Sequence, residues 1–261
     1  MAEQKISFDD GAAYEKAMGV WTKLAGEVFL DWLQPAKQLQ WIDVGCGNGA
    51  FTDLIVNRCA PASVEGIDPS AGQISYARDR TPGSIARYQE GDALALPFVD
   101  SSVDVAVMAL VIFFVPVPAK GVAEMARVVR PGSLVTSYSW DILGGGFPVE
   151  PLQAEMRAMG MPTQLPPSVD ASQRDALLAL WAEAGLVEVE MDEITVESTF
   201  ADFEAFWSMM TGFSSARSVA NLDDAKRAEL KNQLRARMTP AADGSVTSYA
   251  RAFAIRGRKP A

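Results

Sequence analysis

The sequence predicts an α/β fold: a seven-stranded, mostly parallel sheet with helices on both faces and an antiparallel last strand. Three observations predict it. Short apolar runs alternate with helical patterns from Gln40 to about Ser139, as expected of βα units whose sheet is covered on both sides. A glycine-dense turn, Gly45-Cys46-Gly47-Asn48-Gly49, separates the first run from the first helical segment. Aspartates stand at or just past the ends of three consecutive runs, at Asp43, Asp68 and Asp92.

The elements follow in order. Residues 1–40 read as amphipathic and helical, packing over one end of the sheet. Strands are expected at Trp41–Val44, Ser63–Ile67, Ile85–Gln89, Val103–Leu110 and Ser133–Ser139. Between them, Ala50–Cys59 and Ala71–Arg80 read as helices. Lys120–Val129 carries Val122, Met125, Ala126 and Val129 at helical spacing, with Pro131-Gly132 as its stop. Trp140–Pro167, with Gly144-Gly145-Gly146 and Pro166-Pro167, reads as an irregular insertion and a lid candidate. A helix at Ser172–Ala184 closes at Gly185. Leu186–Ser198 then alternates Val187, Val189 and Met191 with Glu188, Glu190 and Asp192, as a half-exposed strand does. Helices at Phe200–Thr211 and Asp223–Met238 precede a last strand at Val246–Arg256, and the basic Arg256–Lys259 segment reads as a solvated end.

Composition narrows the chemistry. The 261 residues are 49% hydrophobic and 21% charged, as in an ordinary globular chain with core enough to fold without disulfides. Lys and Arg number 23 against 33 Asp and Glu, and the net charge of −10 opposes docking on nucleic acid or anionic lipid. Histidine is absent, which removes His-based acid–base catalysis, serine-type triads and His-ligated metal sites. Cys46 and Cys59 suffice for neither a disulfide framework nor a Cys-only zinc site, so reduced thiols in the cytoplasm are expected. Met1–Asp10 lacks signal-peptide patterning. The longest apolar run, Val105–Val115, is too short to span a bilayer and reads as sheet core.

The glycine turn suits close approach of a ligand to the backbone, although such a turn can also be a purely structural corner. It lacks the third glycine spacing of the dinucleotide fingerprint. Asp68 lies nineteen residues past Gly49 at the end of the second strand, where a carboxylate can accept from both ribose hydroxyls; Asp68-Pro69-Ser70 would equally make a helix N-cap. Asp92 follows the third strand and could accept from an adenine amino group beside Ala93 and Leu94, or could sit in a surface turn.

Together these motifs, with Ser101-Ser102-Val103-Asp104-Val105 and Glu124-Met-Ala-Arg-Val-Val-Arg-Pro-Gly132, resemble the class I S-adenosylmethionine-dependent methyltransferases over roughly residues 40–140. The likeness is to the small-molecule branch typified by ubiquinone and menaquinone C-methyltransferases. The resemblance implies a Rossmann-like fold, S-adenosyl-L-methionine as cofactor and a small-molecule methyl acceptor, without nucleic acid, membrane or metal. Gly45, Cys46, Gly47 and Gly49 would line the methionine part, with Asp43 orienting the turn or the cofactor amino group. Asp68 would hold the ribose and Asp92 with Ala93 would read the adenine beside Leu94, with Pro69, Ser70, Gln73 and Ala109 also among the cofactor-binding residues. One domain over 1–261 is implied: a helical cap at 1–40, a cofactor-binding core at 41–140, a lid-like insertion at 141–168, and a C-terminal part at 169–261 with a helical excursion over 200–240.

The chain departs from this family after the fourth strand, where many relatives carry histidines and it has Val111-Ile-Phe-Phe-Val115. In-line methyl transfer gains much of its rate from positioning, so a base is dispensable for an amine, a thiolate or an acidic hydroxyl. If one is used, Tyr14, Tyr138, Asp141 and Glu150 are the candidates by chain position. Tyr14, Met18 and Trp21 share a helical face that reads as core or as part of a lid. Trp140, Phe147 and Trp207 could shape an acceptor pocket. A nicotinamide oxidoreductase lacks support, since no Tyr-x-x-x-Lys occurs; a non-catalytic cofactor-binding protein of the same fold is the other alternative.

Overall fold

The computed structural model describes residues 11–80, 83–213 and 216–261. Its sheet comprises β1 (Gln40–Val44), β2 (Ser63–Asp68), β3 (Ala86–Glu90), β4 (Val103–Ala109), β5 (Val129–Trp140), β6 (Val187–Phe200) and β7 (Val246–Arg258), in the order β3-β2-β1-β4-β5-β7-β6. β1 to β5 pair in parallel, while β7 runs antiparallel to β5 and β6 antiparallel to β7. The strand order reverses between β1 and β4. In an open α/β sheet the crevice beyond the carboxyl ends at that reversal is where ligands bind.

Helices cover both faces. α1 (Gly11–Leu33) buries Met18, Trp21, Ala25, Phe29 and Leu33 in one stripe, and packs on α2 (Ala50–Cys59) and on β6. It covers a face of the sheet rather than one end, since it touches α2 and α3 (Ala71–Arg80) as well as β6 and β7. α4 (Pro118–Val128) and α6 (Arg174–Glu183) pack on the other side. Neighbouring residues of β7 separate the two layers: the Arg256 guanidinium lies 5.0 Å from the Trp32 ring of α1, whereas Gly257 faces the Trp181 indole of α6.

Several expectations shift. The helix expected to run to Val129 ends at Val128, and Pro131-Gly132 lies within β5 instead of after the helix. The strand accommodates the proline by a register irregularity opposite Val103 and Val105. The Arg256–Lys259 segment is not solvated: Arg256 pairs with Glu190 at 2.8 Å, and Lys259 Nζ donates to the Arg127 and Val129 carbonyls at 3.0 Å each. Trp140–Pro167 contains α5 (Glu150–Ala158), begun by Pro151 in its first turn. The helix expected from Phe200 starts at Phe203, after an Asp202 side chain that accepts the Ala205 N–H at 2.8 Å.

β5 ends where Trp140 pairs with Ala252; Arg251 still bonds through its backbone to Asp141 and Gly146, and Val246–Ala250 pair with β6 alone and project past the end of β5. Beyond this ribbon lie α7 (Phe203–Thr211), α8 (Arg217–Ala220) and α9 (Asp224–Arg237). α5 packs on α9, Glu155 ion-pairs with Arg237, and the Phe147 and Phe213 rings meet at 6.3 Å. The insertion after β5 and the excursion between β6 and β7 therefore form one layer at the carboxyl ends of the strands. No helix among the described residues is long and apolar enough to cross a membrane.

Candidate active site

β1 and β2 run side by side with Asp43 opposite Gly66, which brings the turn after β1 against the end of β2. Gly45, Gly47 and Gly49 all have positive φ, at 77°, 51° and 81°. The first two matter differently. A Cβ on Gly45 would lie 2.5 Å from a methyl of Val111, whereas one on Gly47 would meet nothing within 4 Å. Gly47 thus faces open space at the carboxyl end of β1, with its backbone bare toward that space.

Asp68 holds this turn. Its carboxylate accepts the Gly47 N–H at 3.0 Å and the Ser70 N–H at 2.9 Å, one on each oxygen. Each oxygen keeps acceptor capacity for a further donor. Burial raises its pKa, opposed by the N–H groups of Ser70 and Gly47. Pro69 is exposed, and buried Gln73 donates its N–H to Ser70 Oγ at 3.3 Å at the start of α3.

Asp43 is fully buried beneath the turn. Thr52 Oγ1, in the first turn of α2, donates to Oδ2 at 2.7 Å, while Oδ1 is buried without a hydrogen-bond partner. An unmatched buried carboxylate oxygen is expensive unless a donor comes to it. Desolvation raises the Asp43 pKa to about 7; the Thr52 hydrogen bond opposes the rise and the Asp68 charge adds to it. Cys46 is buried with Sγ against Gly66, and burial pushes its thiol well above the ordinary range. Both cysteines are free.

Past β3, Asp92 is exposed and its Oδ1 accepts the Leu94 N–H at 2.9 Å in a tight turn, with Ala93 and Leu94 half-buried behind it. Ala109, half-buried, ends β4. All the residues expected to bind a cofactor therefore lie at or beside the carboxyl ends of β1 to β4.

The expected bases do not gather there. The Tyr138 ring is fully buried between Phe29 at 4.6 Å and Phe51 at 5.4 Å. Both Asp141 oxygens are engaged: Oδ2 takes Arg251 Nη2 at 2.6 Å and Nε at 3.0 Å, and Oδ1 accepts the Gly144 N–H at 2.9 Å. Glu150 ion-pairs with Arg157, and the Tyr14 side chain lies outside the described residues. Trp140 is buried, while Phe147 and Trp207 are half-buried in the layer over the strand ends. Sequence reasoning missed Thr52, Val111 and Arg251. Thr52 was detectable, since a hydroxyl in the first turn of a helix points back toward the preceding strand end.

Residues 42–136 match the methyltransferase-domain family. Among curated relatives, the chain is 32% identical over 129 residues to malonyl-[acyl-carrier protein] O-methyltransferase of Pectobacterium atrosepticum, covering 47% of this chain and 49% of that protein. It is 36% identical over 120 residues to chloroplastic 2-methyl-6-phytyl-1,4-hydroquinone methyltransferase 2 of Oryza sativa subsp. japonica, covering 44% and 34%. The chain thus spans half or less of the length of these relatives. Among solved structures it resembles Haemonchus contortus phosphoethanolamine N-methyltransferase 2 in complex with S-adenosyl-L-methionine, with a TM-score of 0.59 at 16% identity over 100% of this chain and 62% of that one.

Proposed function

We propose that this chain, whose residues 42–136 match the methyltransferase-domain family, is an S-adenosylmethionine-dependent methyltransferase acting on a small-molecule acceptor. The observation that carries the reading is the pairing of Asp68 with Gly47: a carboxylate with spare acceptor capacity is fastened to a glycine that faces open space.

The residues present fit the cofactor. The unmatched Asp43 Oδ1 suits an ammonium group, the bare Gly47 backbone admits an aliphatic chain, the Asp68 oxygens suit a ribose diol, and exposed Asp92 suits an exocyclic amine. When bound, S-adenosylmethionine supplies a methyl group on a sulfonium, open to in-line displacement by a nucleophile. The protein's part is to hold and orient both reactants and to exclude water, with the layer formed by α5 and α7–α9 as the wall on the acceptor side.

No histidine exists, Asp141 is bound by Arg251 and Tyr138 is packed between two phenyl rings. This favours an acceptor that reacts without a protein base: a neutral amine, a thiolate or an acidic hydroxyl. The related proteins are named for O-methyl transfer to a malonyl group on an acyl-carrier protein and for a phytyl hydroquinone, which supports a small reacting group on the acceptor. A panel of amines, thiols and phenols incubated with methyl-labelled S-adenosylmethionine tests this. Label is expected in at least one acceptor, unaffected by EDTA; cofactor binding with no transfer to any would favour a non-catalytic binding protein.

A further inference from the structure

The loop that carries Asp92 is gripped from behind by a charged pair on α4. Glu124 Oε2 accepts the Leu96 N–H at 2.8 Å. Arg127 donates from Nη2 to the Leu96 carbonyl at 3.0 Å and from Nη1 to the Phe98 carbonyl at 2.8 Å. The two side chains are joined by Nε to Oε1 at 2.7 Å and Nη2 to Oε2 at 2.8 Å. One ion pair thus holds both backbone polar groups of Leu96.

Leu96 is two residues past Leu94 in the turn that Asp92 closes, where the Asp92 side chain accepts from Leu94 and its carbonyl accepts the Ala95 N–H at 3.0 Å. Fixing Leu96 therefore fixes the direction of Asp92 and of the backbone at Ala93 and Leu94. An exposed salt bridge alone contributes little. Here the planar guanidinium spends its donors on two carbonyls as well as on the carboxylate, which sets a geometry that lysine cannot copy. Arg127 and the Leu96 N–H hold the Glu124 carboxyl below its usual range, so the pair stays charged.

We propose that Glu124 and Arg127 are positioning residues for the nucleobase end of the cofactor site, and that through the Asp92–Leu94 turn they give it preference for an amino-bearing purine. This rests on the methyltransferase reading of the site. Asp100, with its side chain 75% exposed, pairs with Arg127 at 2.8 Å from the far side and provides a control that leaves the Leu96 contacts intact.

The test compares affinities for S-adenosylhomocysteine and S-inosylhomocysteine, in which a carbonyl replaces the adenine amino group. The native chain and Asp100→Asn are expected to favour the adenine compound by about 10-fold or more, the scale of a hydrogen bond to a charged group. Arg127→Gln is expected to lose that preference to within about 2-fold, by weakening the adenine compound alone, with Arg127→Lys between. Hydrogen exchange is expected to quicken at Leu94 and Leu96 while the β4 amides keep their protection. A folded Arg127→Gln protein with unchanged preference, or one in which all amides quicken together, would overturn the proposal. If Arg127→Gln does not fold, Glu124→Gln, which keeps an acceptor for the Leu96 N–H but drops the ion pair, is read the same way. Failure of the native chain to bind S-adenosylhomocysteine would instead remove the cofactor reading and this proposal with it.

Discussion

The Asp68 carboxylate at the end of β2 accepts the Gly47 N–H of the turn after β1 at 3.0 Å, joining two strand ends through one side chain. Since Asp68 also accepts from Ser70, it shapes the site as well as offering acceptors to a ligand. Asp68→Ala is therefore expected to weaken S-adenosylhomocysteine binding by about 1.5–3 kcal/mol for each charged hydrogen bond lost. Asp68→Asn, which keeps an acceptor for Gly47, should retain more of the fold's stability than of the affinity. Calorimetric titration beside thermal melting checks both, and unchanged affinity in Asp68→Ala would count against the ribose role.

Two glycines of the turn should respond in opposite ways. Gly45→Ala drives a methyl into Val111 and strains a left-handed backbone as well, and should destabilise the fold by about 2–5 kcal/mol. Gly47→Ala meets no neighbour, so its stability cost is only the left-handed backbone, about 1–2 kcal/mol, yet it places a methyl where the cofactor is proposed to lie. Denaturant melts and cofactor titration separate them. Full binding by a folded Gly47→Ala protein would make the turn a structural corner.

Asp43 should make the ligand-free protein pH-sensitive. Burial raises its pKa from 3.8 to about 7, so the unfolded chain loses this proton first as pH rises. The contribution to stability is fully present below about pH 4 and is lost as the pH climbs through about 7. Asp68, raised in the same direction, adds to the trend, and with no histidine in the chain few other groups titrate there. Thermal midpoints of the apo protein should fall between pH 5.5 and pH 8 by roughly the scale of one buried carboxylate's linkage, and less so in Asp43→Asn. Affinity for S-adenosylhomocysteine should move the other way, tightening as Asp43 ionises to meet the ammonium, and Asp43→Asn should flatten that profile.

The Gly144-Gly145-Gly146 run is fastened at both ends. Asp141 and Arg251 pair through side chains, the Gly146 carbonyl accepts the Arg251 N–H at 2.8 Å, and Arg251 Nη2 donates to the Gly144 carbonyl at 2.9 Å. Gly145 stands at φ 82°, which proline cannot adopt, so stiffening by proline would break the turn. Arg251→Gln is the sounder probe: for this partly exposed pair a stability loss of about 1–3 kcal/mol is expected, with cofactor affinity unchanged. If the segment closes over the acceptor, turnover falls and the acceptor KM rises; unaffected kinetics would make the turn a spectator.

The gathering of the turn, Asp68 and Asp92 was legible because it is local: each stands at or just past the end of a strand, and parallel strands in register place their ends together. What escaped reading depends on contacts far apart in sequence. Asp141 looked like a base by position, but Arg251, on the antiparallel β7, neutralises it. Tyr138 looked available until Phe29 of α1 and Phe51 of α2 closed on its ring. The Gly/Pro content of Trp140–Pro167 masked α5, whose anchors are Glu155 to Arg237 and its packing on α9. Pro131-Gly132 reads as a helix stop in isolation, yet β5 takes it in because Gly132 donates to the Lys259 carbonyl at 2.8 Å across the sheet.

The most direct measurement is titration of the purified native chain at pH 8 with S-adenosylhomocysteine and, separately, with NAD, each repeated with Asp68→Ala. The account predicts saturable one-to-one binding of S-adenosylhomocysteine that weakens by about 10-fold or more in Asp68→Ala, and no heat with NAD. Binding of NAD in its place, or S-adenosylhomocysteine binding that ignores Asp68, would contradict it.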